Sequence, residues 1–239
     1  MSTQRQANCT QRKSHIAKRL SLCACVMTLL CSTMANAAFS LNRTRVIVPE
    51  GSSSSVQVTN NSELWYGLQA WLENEDGNDA GSLVVVSPQI QKVAPGGKVV
   101  LRLMTFSPPS DREQLYYLNV QELPPSDSEA DKNKLSMAIR TRIKVLIRPA
   151  KIAGDRKNAE AKVTATQTRE GLKLVNTTPY YFSIPQIMVN KKGIKTPETA
   201  VFAPFETTVL PQIKQKASSI DIMYLSDFGD VRKSLILVK

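Results

Sequence analysis

Residues 135–149 read LSMAIRTRIKVLIRP. Odd positions carry Leu135, Met137, Ile139, Thr141, Ile143, Val145 and Ile147; even positions carry Ser136, Ala138, Arg140, Arg142, Lys144, Leu146 and Arg148. A period of two, rich in β-branched residues and free of Gly, predicts a strand over Leu135–Ile147 that stops at Arg148-Pro149. One face is apolar and the other cationic. Two uses fit this pattern. The odd face can lie on its own domain's core with the even face solvated, or part of the apolar face can be offered to another protein. Alternation alone favours the first and leaves the second open.

Upstream of this run, no stretch from Phe39 onward shows a long apolar stripe of helical period. Short strand-like runs recur instead at Ser40–Val48, Ser55–Asn60, Tyr66–Leu72, Leu83–Ser87, Ile90–Val93, Val99–Phe106 and Leu115–Gln121. Turn chemistry separates them, as in Asn60-Asn61-Ser62, Asp76-Gly77-Asn78 and Pro95-Gly96-Gly97. Many short strands at this spacing predict an antiparallel sandwich. Its expected core is Val56, Val58, Leu68, Ala70, Leu72, Val100, Leu101, Leu103, Leu118 and Val120, with Trp71 as a core or inter-sheet residue. The loop Pro124–Lys134 is polar and turn-rich, a composition that predicts mobility.

Downstream, Pro149 cannot continue a central ladder, and residues 150–157 read as a short hinge. A second strand series follows at Ala161–Thr168, Gly171–Asn176, Tyr181–Asn190, Thr207–Leu210, Ser219–Ser226 and Arg232–Val238. The expected architecture is therefore all-β, with two sandwich domains at 38–149 and 158–239 joined by that hinge.

The first 37 residues stand apart. Arg5, Arg12, Lys13, Lys18 and Arg19 form a basic start with no acid, Leu20–Met34 is apolar, and Ala35-Asn36-Ala37 fits a small-x-small cleavage site. This is the pattern of a cleaved signal peptide, and the apolar run is too short for a membrane span. Its removal takes five of the 31 basic residues, leaving 26 against 20 acidic, a net +6 in place of +11. Cys9, Cys23, Cys25, Cys31 and the lone His15 go with it. An exported chain without cysteine must rely on its core rather than on disulfides. Without Cys or His, a Cys/His zinc site and a Ser–His–Asp triad are both excluded. No Gly-rich phosphate loop is present, and no aromatic–basic motif points to nucleic acid. The expectation is a binding protein with no cofactor, not an enzyme.

A set of motifs runs in order along the chain. It comprises Asn42–Ile47, Val58–Ser62, Gln69-Ala70-Trp71, Ser87-Pro88-Gln89, Ala94-Pro95-Gly96, Asp111-Arg112-Glu113, Tyr117–Val120, Leu123-Pro124-Pro125 and Arg142–Pro149. Asn176–Tyr181, Ala203-Pro204-Phe205 and Ser226–Gly229 continue it. In this ordered set the chain resembles the periplasmic pilus-assembly chaperones of the chaperone–usher pathway. The resemblance implies two immunoglobulin-like β-sandwich domains set at an angle, with a cleft between them. It implies a periplasmic protein that lends an edge strand to pilus or fimbrial subunits missing their last strand, and then delivers them to an outer-membrane usher. Leu135, Met137 and Ile139 match the residues that fill the subunit's groove. Arg45 and Lys144 match the two cations that hold its C-terminal carboxylate. Glu113, Arg148 and Asp227 match a charge network between the domains. Val48 departs from the family, which commonly has an aromatic there, and the second domain lacks the cysteine pair of some members. The loop before Leu135 is of the short F–G type, which implies rod-like, adhesin-tipped pili. An unpaired apolar edge also leaves self-association open in the absence of a subunit. The competing reading is a secreted structural or adhesive β-sandwich that meets its ligand through loops.

Overall fold

The computed structural model describes residues 37–106, 108–125 and 137–239. The signal-peptide segment, Leu135 and most of the loop before it lie outside the described residues. The described residues form sixteen strands around two hydrophobic cores.

The first core lies between two sheets. One contains β1 (Phe39–Leu41), β3 (Ser53–Asn60), β7 (Lys98–Thr105) and β5 (Val84–Ser87), in that order. The other runs β2 (Arg45–Pro49), β9 (Arg140–Arg148), β8 (Gln114–Leu123), β4 (Tyr66–Glu73) and β6 (Ile90–Val93). The expected single strand Ser40–Val48 is therefore two strands in different sheets. Asn42 makes the break: its N–H donates to the Gln57 carbonyl at 3.1 Å and its side chain accepts from the Gln57 N–H at 2.9 Å. After this crossing β2 pairs with β9 in parallel, the one departure from antiparallel pairing in the five-stranded sheet.

Period-two alternation sorts the side chains. Val46, Val48, Leu68, Ala70, Leu72, Leu118, Val120, Ile143, Val145 and Ile147 enter the core, and Val56, Val58, Leu101 and Leu103 meet them from the facing sheet. Val100 corrects the expected core: it is 57% exposed, because neighbours on a strand point to opposite faces and Leu101 holds the inner one. Trp71 is also no core residue. It is half-buried on the outer face, where its indole N–H donates to Glu73 at 2.9 Å.

The second core lies between the sheet β10 (Thr164–Gln167), β11 (Leu172–Val175), β14 (Thr207–Leu210) and the sheet β13 (Lys192–Lys195), β12 (Gln186–Val189), β15 (Ser219–Leu225), β16 (Val231–Leu237). The expected run Tyr181–Asn190 shortens to β12, which begins after Pro185. Lys192 and Gly193, although turn-like in composition, begin strand β13. Asn190 and Lys191 both adopt positive φ, the geometry of a two-residue hairpin turn, so the reversal is tighter than the composition indicates. Asn60 and Asn176 organise equivalent corners of the two sandwiches. Each is fully buried and donates its amide to carbonyls of the following loops.

Residues 150–157, read from sequence as turn-like, contain a one-turn helix α1 (Ala150–Ala153) and a 3-10 turn at Gly154–Arg156. Tyr180 anchors this connector by donating its hydroxyl to the Ile152 carbonyl. Among the described residues no helix is long and apolar enough to cross a membrane.

Candidate functional site

The outer face of the five-stranded sheet turns toward the second sandwich. Strand register places Arg45 (β2), Lys144 (β9), Tyr117 (β8) and Glu73 (β4) in one row across it. Arg45 and Lys144 are thus adjacent like charges on parallel strands. The Lys144 ammonium donates to Ser183 Oγ at 2.7 Å and to the Ala200 carbonyl at 2.5 Å, both from the second sandwich. Buried Arg45 donates Nη1 to the Leu225 carbonyl at 3.3 Å, and its Nε has no partner. Among the described residues no carboxylate lies within ion-pair distance of either.

Burial, and then the charge of Arg45, pull the Lys144 ammonium down to about 8. Burial also lowers Arg45, against the opposing attraction of Asp227. Two cations held side by side, both desolvated and, among the described residues, bonded only to neutral oxygens, have the charge and spare donors that an anion would need. Arg45 also lines a cavity of about 460 Å³ with Asn42, Arg43, Ile47, Arg148 and Asp227.

Arg148, at the end of β9, bridges the two sandwiches. Its Nε donates to Glu113 at 2.6 Å, and its Nη1 and Nη2 donate to the two carboxylate oxygens of Asp227 at 2.6 and 3.0 Å. Glu113 also accepts from the Tyr181 backbone N–H at 2.8 Å. Desolvation raises Glu113 above the usual carboxylate range despite Arg148. For Asp227 desolvation acts the same way, but the hydrogen bonds and charge of Arg148, with Arg156, prevail and hold it low. The turn presenting Asp227 needs Gly229. Its φ is +87°, and a Cβ there would meet Thr44 Oγ1 at 2.2 Å, so this turn packs directly on the segment before β2.

Met137 and Ile139 precede β9 rather than lie in it, and are 62% and 39% exposed. The ladder starts late because Pro124, which the register sets opposite Met137, has no N–H to donate. Glu122 N–H still reaches the Ile139 carbonyl at 2.9 Å. Beyond that point β9 pairs with β8 over residues 140–147 but with β2 only over 144–148. Residues 140–143 therefore keep one edge without a strand neighbour among the described residues.

Two family models cover the described chain: "Pili and flagellar-assembly chaperone, PapD N-terminal domain" matches residues 38–153, and "Pili assembly chaperone PapD, C-terminal domain" matches 158–235. The chain belongs to the pilus-assembly chaperone family. The chaperone protein FanE of Escherichia coli is 37% identical over 206 residues, covering 83% of this chain and 90% of FanE. The crystal structure of the periplasmic chaperone SfaE superposes with a TM-score of 0.66 at 30% identity, over 84% of this chain and all of SfaE. The SafB chaperone of Salmonella enterica, solved with the SafA pilin, shares the fold at a TM-score of 0.74 and 22% identity, over 86% of this chain and 98% of the matched one. The role of such a family is escort, not catalysis.

Sequence reasoning missed the groups that the second sandwich brings to this family's cleft. Ser183 and Ala200 meet Lys144. Arg156 joins Asp227 at 3.5 Å, and the Tyr181 hydroxyl donates to Glu75 at 2.5 Å. Tyr181 stood inside a quoted motif, but nothing in its spacing named a partner 106 residues away.

Proposed function

We propose that this protein works in the periplasm, after removal of residues 1–37, as a chaperone that lends strand β9 to pilus subunits. The observation that carries this reading is the edge of residues 140–143, which has no strand neighbour among the described residues and ends at a cation pair that no carboxylate among them meets. A subunit strand entering that edge gains main-chain hydrogen bonds, and its terminal carboxylate meets Arg45 and Lys144. Met137 and Ile139, and Leu135 before them, fill the subunit's groove, each side chain contributing about 1.5–3 kcal/mol before ordering costs. Glu113, Arg148 and Asp227 hold residues 38–149 and 158–239 at a working angle across the connector 150–157. Handing the subunit to an outer-membrane usher completes the cycle. The exposed edge also offers a route to self-association when no subunit is bound.

Co-expression with a pilus subunit from the same genome, followed by purification from the periplasm, tests this. Arg45→Ala and Lys144→Ala are expected to lower recovery of stable subunit at least tenfold while the chaperone itself stays folded. Equal recovery with all three proteins would sink the carboxylate anchor.

A further inference from the structure

The cleft face of β9 carries more than the anchor. Arg140 and Arg142 stand on the free segment, four and two residues before Lys144, and so on the same face. Neither is a loose surface arginine. The Arg142 guanidinium lies 3.8 Å from the centre of the Tyr117 ring, and that of Arg140 lies 5.5 Å from the Trp71 ring. Glu73 draws both inward, at 3.3 and 3.8 Å, and is itself fixed by the Trp71 indole. Ring and carboxylate remove the rotamer freedom that makes an ordinary arginine expensive to order. Their side chains nevertheless stay 37% and 45% exposed. Among the described residues the two guanidiniums share one carboxylate, so a net positive charge remains there and most of their N–H donors are unspent.

The vacant edge has a direction. β2 runs parallel to β9 from Arg45, so the place beside residues 140–143 that no described strand fills lies in line with β2 and ends at Arg45. A strand entering with its carboxylate at Arg45 and Lys144 runs parallel to β9. Every second side chain then lies on the cleft face, beside Arg142 and Arg140.

We infer that this arginine pair selects subunits whose last strand carries acidic side chains on its cleft-facing positions, just before the C-terminal carboxylate. The inference rests on the strand-lending reading above.

The test uses the purified protein and synthetic twelve-residue peptides with apolar residues at every second position. The other positions near the C-terminus hold Glu or Gln, in both phases of the alternation, and each peptide is made with a free or an amidated end. In one phase the Glu peptide is expected to bind about fivefold tighter than its Gln counterpart, an advantage that salt erodes. In the other phase it gains nothing. The R140Q/R142Q variant is expected to lose this preference while still favouring the free end. If Glu and Gln bind alike in both phases while amidation still weakens binding, the selection is overturned and the anchor stands. If amidation has no effect, or no peptide binds, the strand-lending reading fails and takes this inference with it.

Discussion

Lys144 holds its proton only to about pH 8, because burial and the adjacent Arg45 both oppose its charge. An unfolded chain keeps that lysine protonated to its ordinary value near 10.5, so between about pH 8 and 10.5 the unfolded state binds the extra proton and native stability rises with pH. Below that window the buried charge works against folding. Lys144→Met is therefore expected to stabilise the free protein by about 1 kcal/mol at pH 7, after discount for partial solvent screening, with the gain vanishing toward pH 10. Urea denaturation of both proteins across this range measures it, and parallel pH profiles would refute the assignment. A bound carboxylate acts in the opposite direction and restores the ammonium. Binding of a subunit should accordingly weaken as pH climbs past about 8. Residue identity showed that Lys144 is a cation. Its unusual acidity comes first from burial, to which the second sandwich contributes, and then from Arg45, 99 positions away, neither of which lies near it in the chain.

At the level of the strand, β9 divides by its neighbours. Backbone groups of Ile139, Thr141 and Ile143 point to β8, as the Glu122–Ile139 hydrogen bond establishes, so those of Arg140 and Arg142 point to the open edge. Proline at position 142 thus removes an outward N–H and spares the β8 ladder. Arg142→Pro is expected to cost about 1 kcal/mol or less in stability, as proline does on sheet edges. It should reduce subunit recovery well beyond Arg142→Gln, which keeps the N–H. Equal effects of the two substitutions on recovery would show that main-chain pairing is not the source of affinity. Alternation through 135–147 identified the strand and its faces. It did not show where pairing begins, because that depends on Pro124, just past the end of the partner strand.

For the molecule as a whole, Arg148 is the joint. Its side chain is 10% exposed between an acid of each sandwich, and loss of one partner leaves a buried charge short of compensation. Asp227→Asn is expected to cost about 1–3 kcal/mol at pH 7, below the figure for a fully buried pair because Glu113 remains and Asp227 is partly open to solvent. Because Asp227 is held low, its contribution is present at neutral pH and is lost as pH falls below the ordinary aspartate value of 3.8 toward its lower folded value. The raised Glu113 acts in the reverse sense: its effect favours the native state at low pH and fades as pH rises through its folded value. The difference in urea stability between wild type and Asp227→Asn should therefore shrink below pH 4. A constant difference down to pH 3 would place the cost elsewhere. Tyr181 with Glu75, and Arg112 stacked on Phe205 at 5.0 Å, add two further ties across the same boundary.

Local pattern was enough to give the β class, the two strand series, the break near Pro149 and most of the first core, because period two and turn residues are properties of neighbours in the chain. Local pattern misplaced Val100 and Trp71, where adjacent apolar residues compete for one inner face and only the facing sheet decides. The ordered motifs named Arg45, Lys144, Glu113, Arg148 and Asp227. Tertiary structure alone placed β2 parallel to β9, left residues 140–143 with one edge open among the described residues, and set Arg140 and Arg142 on Trp71, Tyr117 and Glu73. Strand pairing and the meeting of two sandwiches join residues tens to more than a hundred positions apart, and no local periodicity encodes which of them touch.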